Sequence, residues 1–114
     1  MINYNKKKFR PVYNVKNGET TEDTVFHYFQ NKNIVTASYS GGKIINGHLI
    51  GIVLEDGSIE MRYHQVNIQN TLMTGICHSI PEIMSDGRVR LHENWEWTSG
   101  DFSKGTSIID EVFE

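Results

Sequence analysis

Turn signals at regular intervals constrain this chain more than any other feature of its sequence. Short clusters of Gly, Asn, Asp and Ser lie at 17–18, 31–33, 41–42, 56–57, 69–70, 86–87 and 99–101. The segments between them are rich in β-branched and aromatic residues, which favour strands. These turns predict eight strands and leave almost no length for helix. The predicted strands cover residues 9–15, 24–30, 34–40, 44–54, 58–67, 72–80, 88–98 and 105–113.

Short antiparallel strands joined by tight turns favour an up-and-down meander that closes into an eight-stranded barrel. Closure is favourable because it removes both exposed sheet edges. A β-sandwich is the alternative, but its Greek-key crossings need a long connection, and only residues 15–23 and 99–104 have spare length. Residues 20–30 also carry a weak helical pattern, although Val-Phe-His-Tyr-Phe within them favours a strand. We therefore expect an all-β fold.

Length and composition indicate one small domain over residues 1–114. The single Cys77 excludes an intramolecular disulfide and is typical of a reducing compartment, so we expect a cytoplasmic protein. The formal net charge of -3 argues against a nucleic-acid partner. The basic run at residues 6–8 precedes no apolar stretch, so we expect a solvated terminus and no membrane partner.

Pairing residues across the turns predicts which side chains face the barrel interior. If Asp56-Gly57, Gln69-Asn70 and Asp86-Gly87 are two-residue turns, one face is apolar over four consecutive strands. Extending the pairing backwards places Val35, Ala37 and Tyr39 inside, opposite Val25, His27 and Phe29. The predicted inner residues of the four strands are Ile50, Ile52, Leu54, Ile59, Met61, Tyr63, Leu72, Ile76, Val89, Leu91, Trp95 and Trp97.

Polar residues on this apolar face are the candidate functional groups, because a buried polar group must find a partner or shift its pKa. They are His27, Asn46, His48, Gln65, Thr74, His78 and Glu93. An eight-stranded barrel is either filled by side chains or holds one small ligand. The sequence favours a barrel that binds a small, partly apolar molecule. The predicted ligand-binding residues are Trp95, Trp97 and Tyr63 as walls, with His48, Gln65 and His27 as polar contacts.

Two other functions remain open. Glu93 or His78, desolvated beside tryptophan, would be the general acid or base of an isomerase or lyase. A filled barrel would instead bind a protein partner or a second copy through an outward apolar stripe at Ile45, Leu49 and Val53. The five histidines lack the spacing of a metal site, and no motif predicts a cofactor or an activated nucleophile.

Several segments carry a resemblance that runs nearly from end to end. They are Tyr-Ser-Gly-Gly at 39–42, Gly-His-Leu-Ile-Gly at 47–51, Met-Arg-Tyr-His-Gln-Val-Asn at 61–67 and the segment 92–101. The chain resembles a family of small bacterial proteins that often carry the name N-acetylglutamate synthase. The residues do not predict N-acetyltransferase activity, because no glycine-bearing phosphate loop leads into a helix. The meander resembles the calycin group of barrels, which includes lipocalin-like, fatty-acid-binding-like and avidin-like proteins.

Overall fold

The computed structural model describes residues 2–113 and shows a closed barrel of antiparallel strands. Each strand pairs with the next one along the chain, and the last pairs with the first. The predicted all-β, eight-stranded barrel is therefore confirmed. Within residues 2–113, no helix has the length and apolar character needed to cross a membrane. The strands are β1 (Lys8–Asn14), β2 (Val25–Asn31), β3 (Ile34–Gly41), β4 (Ile44–Val53), β5 (Ile59–Asn67), β6 (Leu72–Ile83), β7 (Val89–Trp97) and β8 (Lys104–Glu111).

The hydrophobic core lies inside the barrel, because alternate side chains of every strand point inward. On β3, Val35, Ala37 and Tyr39 are buried and the residues between them are exposed, as predicted. The predicted inner faces of β5 and β7 are also confirmed. Their inward residues include Ile59, Met61, Val89, Leu91, Trp95 and Trp97.

The turns at Asp56-Gly57, Gln69-Asn70 and Asp86-Gly87 are one residue longer than predicted. In the first, Gly57 N–H donates to Leu54 O at 2.9 Å and Leu54 N–H donates to Ser58 O at 2.8 Å. Residues 55–57 therefore form a three-residue loop, which ends on Gly57 in the left-handed region at φ 86°. The turns ending at Asn70 and Gly87 repeat this pattern.

Each extra turn residue shifts the register by one and so exchanges the two faces of the following strand. Two successive shifts restore the original face. The predicted faces of β5 and β7 are therefore correct, and those of β4 and β6 are wrong. Leu49, Val53, Cys77 and Ser79 are buried instead. The residues wrongly predicted to face inward are Asn46, His48, Ile50, Ile52, Leu54, Leu72, Thr74, Ile76 and His78.

Two further predictions about faces are corrected. Asn31 pairs with Ile34, so the β2–β3 turn contains two residues rather than the expected three. This register buries Phe26 and Tyr28 and places His27 and Phe29 outside. The predicted outward stripe of Ile45, Leu49 and Val53 does not form, because β4 turns Leu49 and Val53 inward.

The segment before β1 closes one end of the barrel. Tyr4 is fully buried in the core, and its hydroxyl donates to the carbonyl of Gly57 in the β4–β5 turn. Lys6 N–H donates to Tyr28 O and Tyr28 N–H donates to Lys7 O, each at 2.8 Å. Lys6 and Lys7, which were expected to lie in a solvated terminus, therefore bind β2 through their main chain and hold the segment that closes this end of the barrel.

Candidate functional site

A cavity of about 50 Å³ lies in the barrel interior towards the end opposite Tyr4. Aromatic rings form much of its wall. The rings of Trp95 and Trp97 are 5.6 Å apart, and Tyr63 meets Trp97 edge-on at 5.5 Å. Phe26 and Tyr39 stack at 4.6 Å. These side chains give the cavity large apolar surfaces with a few polar groups among them, which is typical of a small-molecule site.

Glycines on neighbouring strands explain why the rings leave open space. Tyr63 pairs with Gly75, and a Cβ added at Gly75 would lie 2.2 Å from the Tyr63 ring. Tyr39 lies against its partner Gly47, and Trp95 lies against its partner Gly105, with equally close approaches of 2.4 Å. Each ring therefore packs directly against the backbone of the adjacent strand.

Glu93 supplies a buried carboxyl group to this cavity. The strand register places it directly between Ser79 on β6 and Ser107 on β8. Both hydroxyls donate to it, Ser79 Oγ at 3.1 Å and Ser107 Oγ at 3.0 Å. Burial raises the pKa of Glu93 to about 7, and the two hydrogen bonds partly oppose that shift. Glu93 therefore changes charge near neutral pH.

Gln65 supplies a donor that the protein leaves unused. Its Oε1 accepts a hydrogen bond from the Tyr39 hydroxyl at 2.9 Å, which fixes the side chain against the wall. Among the described residues, Gln65 Nε2 and the Tyr28 hydroxyl are buried and have no hydrogen-bond partner. A buried donor without a partner costs about 1–3 kcal/mol. Because Gln65 lines the cavity, an occupant with an acceptor oxygen would recover that energy.

The long β1–β2 connection lies across part of this end of the barrel. Gly18, Glu19 and Thr20 line the cavity. The Trp97 indole N–H donates to Asn17 O at 3.1 Å, and Asn67 Nδ2 donates to Glu19 Oε1 at 2.7 Å. The connection is thus attached to Trp97, a side chain of the site, and to Asn67 on β5.

Cys77 also lines the cavity but is not an activated thiol. Burial, together with the negative charge of Glu93, raises the pKa of Cys77 well above its usual range. Burial likewise raises the pKa values of Tyr39 and Tyr63. These groups are therefore neutral at physiological pH, and nucleophilic catalysis by a thiolate is disfavoured.

The structure brings together part of the predicted site. Tyr63, Trp95, Trp97, Gln65 and Glu93 all line the cavity. Their roles there stay predictions.

The histidines predicted to join that site lie on the outer face. His48 lies against His64 with ring centroids 5.8 Å apart, and His78 pairs with Glu60. His27 is exposed on β2. Within the described residues, no group of three or more His, Cys, Asp or Glu side chains could hold a metal ion.

Sequence reasoning missed Ser79, Ser107 and Cys77 as neighbours of Glu93. For Ser79 and Cys77 the cause was the inverted face of β6. The glycines opposite Tyr63 and Tyr39 lie within predicted strands, but the rings that they meet depend on the register.

The fold and site together define a calycin-like barrel with an interior cavity. A sequence model of the family described as avidin-like protein matches residues 2–112. The chain therefore belongs to the avidin-like protein family. No curated protein and no solved structure matches it.

Proposed function

We propose that this avidin-like barrel binds one small, partly apolar molecule in its interior cavity. The observation that carries the proposal is the unpartnered Nε2 of Gln65, which lines a cavity walled by aromatic rings. Leaving a donor without a partner beside open space reduces stability, and a bound acceptor removes that cost. A core selected for packing alone would fill the space or pair the donor.

The size of the cavity limits what it holds with the β1–β2 connection in its observed position. Its volume of about 50 Å³ is near one third of the roughly 150 Å³ engineered cavity that binds benzene. An occupant of more than a few non-hydrogen atoms therefore either extends through the opening of the cavity or displaces residues 15–24. Such movement would break the hydrogen bond from Trp97 to Asn17, which makes tryptophan emission a direct reporter.

A tryptophan-fluorescence titration against a metabolite library tests this function. We expect at least one compound to change the emission saturably, because Trp95 and Trp97 both line the cavity. Gln65→Met should weaken binding of that compound about tenfold or more, since it removes the free donor.

The exposed Gln69 offers a matched control, and Gln69→Met should leave affinity unchanged. His48→Ala should also leave it unchanged, because His48 faces away from the cavity. If no compound changes the wild-type emission, the cavity binds no small molecule and the proposal is wrong.

Acid–base catalysis is a second candidate function, favoured by the raised pKa of Glu93 in a cavity that Trp95 and Trp97 also line. His78 has no part in it, because it faces outward. An enzyme would convert the bound compound, and Glu93→Gln would stop turnover while binding persisted. A compound recovered unchanged after incubation indicates a binding protein.

A further inference from the structure

The Glu93 carboxyl group has no cationic partner inside the barrel. No Lys, Arg or His side chain lines the cavity within the described chain. Its hydrogen-bond partners, Ser79 and Ser107, are neutral hydroxyls. Burying an ionised carboxylate among neutral groups is costly, and the cost falls when a cation is brought to it. The cavity therefore contains no positive charge that would balance Glu93 when its carboxyl group is ionised.

The walls of the cavity favour a cation over a neutral occupant. Ring faces carry negative quadrupole charge and attract an ammonium group, most strongly where water is excluded. Trp95, Trp97, Tyr63, Tyr39 and Phe26 all line the cavity together with Glu93. An ammonium group does not need a set of coordinating ligands as a metal ion does, because aromatic rings and one carboxylate are enough to bind it.

On the basis of the function proposed above, we infer that the occupant is a small protonated amine that carries an oxygen acceptor. Its ammonium group would lie against Glu93 and the aromatic rings. Its oxygen, from a hydroxyl or carbonyl group, would accept the hydrogen bond that Gln65 Nε2 leaves unmade. This assignment gives a role both to the Glu93 carboxylate and to the free donor of Gln65.

The groups around Glu93 predict how binding depends on pH. Tyr28 from β2, Tyr39 from β3, Tyr63 from β5 and Cys77 from β6 interact with its charge, and burial raises the pKa of each. They stay neutral near pH 7, whereas Glu93, with a pKa of about 7, ionises there. An amine binds the ionised form, so its affinity should rise about tenfold between about pH 6 and about pH 8.

The test compares ethanolamine, which is protonated at neutral pH, with ethylene glycol, its neutral analogue of equal size. The indole N–H signals of Trp95 and Trp97 in ¹⁵N-labelled protein report binding of each compound. We expect ethanolamine to bind at least tenfold more tightly than ethylene glycol to the wild type. Glu93→Gln should abolish that preference. Glu96→Gln, on the outer face of the same strand, should preserve it.

Each outcome decides the inference. Equal binding of the two compounds, or a preference that survives Glu93→Gln, would show that the ligand is not a cation while leaving the small-molecule function intact. Binding of neither compound would overturn the inference, and a blank library titration would overturn the function as well. If Glu93→Gln does not fold, the wild-type pH dependence decides, and an ethanolamine affinity that is flat with pH contradicts the assignment.

Discussion

Replacing Tyr4 by alanine is expected to lower the free energy of unfolding by about 3–5 kcal/mol, the range for large aromatic side chains lost from a core. Tyr4 is fully buried, its ring lies 6.3 Å from that of Tyr28, and its hydroxyl donates to Gly57 O across the end of the barrel. Alanine would leave a cavity and an unpaired carbonyl. Urea unfolding followed by circular dichroism measures the change.

Two control variants separate the contributions to this effect. Tyr4→Phe keeps the ring and removes the hydrogen bond, so it should cost about 1 kcal/mol. Tyr13 is half exposed on β1, and Tyr13→Ala should change stability by less than about 0.5 kcal/mol. If Tyr4→Ala were as mild as Tyr13→Ala, the N-terminal segment would not close the barrel.

Replacing Glu93 by glutamine is expected to stabilise the protein by about 3 kcal/mol above about pH 8. Burial raises the pKa of Glu93 from 4.5 to about 7, so between these values the folded state binds more protons than the unfolded state. Stability therefore falls as pH rises through this window. At roughly 1.4 kcal/mol per pKa unit, the loss is complete above about pH 8. Glutamine stays neutral and avoids it.

The measurement is the difference in unfolding free energy between Glu93→Gln and wild type from about pH 4 to about pH 8. The difference should be near zero at the acidic end and grow as pH rises. Glu96→Gln, with its side chain on the outer face, should show no such trend. A flat difference for Glu93→Gln would mean that the pKa of Glu93 is the same in the folded and unfolded states, so that burial does not raise it. The destabilising charge is consistent with a functional group, because sites commonly reduce stability.

The number and order of strands were predictable because they depend on local signals. Turn residues mark their own positions, and β-branched segments between them favour strands wherever the chain goes. Closure followed from the absence of a long crossover. Residues 2–7 carried no such signal, since nothing near Tyr4 in the sequence indicates the distant Gly57 carbonyl that it meets.

Register was less predictable, because one sequence signal serves two loop lengths. An Asp-Gly pair suits a two-residue turn, and it also suits the end of a three-residue loop with glycine in the left-handed region. The loops that end at Gly57, Asn70 and Gly87 all have three residues rather than the predicted two. Each one reverses the predicted face of the next strand, so the faces of β5 and β7 were right and those of β4 and β6 were wrong.

Each predicted site residue faces the predicted way only where the face of its strand was predicted correctly. Tyr63 and Gln65 on β5, and Glu93, Trp95 and Trp97 on β7, were placed correctly. His48 on β4 and His78 on β6 were predicted inside and lie outside, as does His27 on the misjudged β2. The open space itself depends on which glycine meets which ring, so only the three-dimensional register reveals it.

Native mass spectrometry of protein freshly purified from its own host tests most directly whether the barrel holds a small molecule. We expect a population that carries one non-covalent adduct of defined low mass. Its share should fall in Gln65→Met and remain in Gln69→Met, since Gln65 alone of the two lines the cavity. Protein that shows the bare polypeptide mass throughout, under conditions that preserve an added complex of comparable affinity, would contradict interior binding.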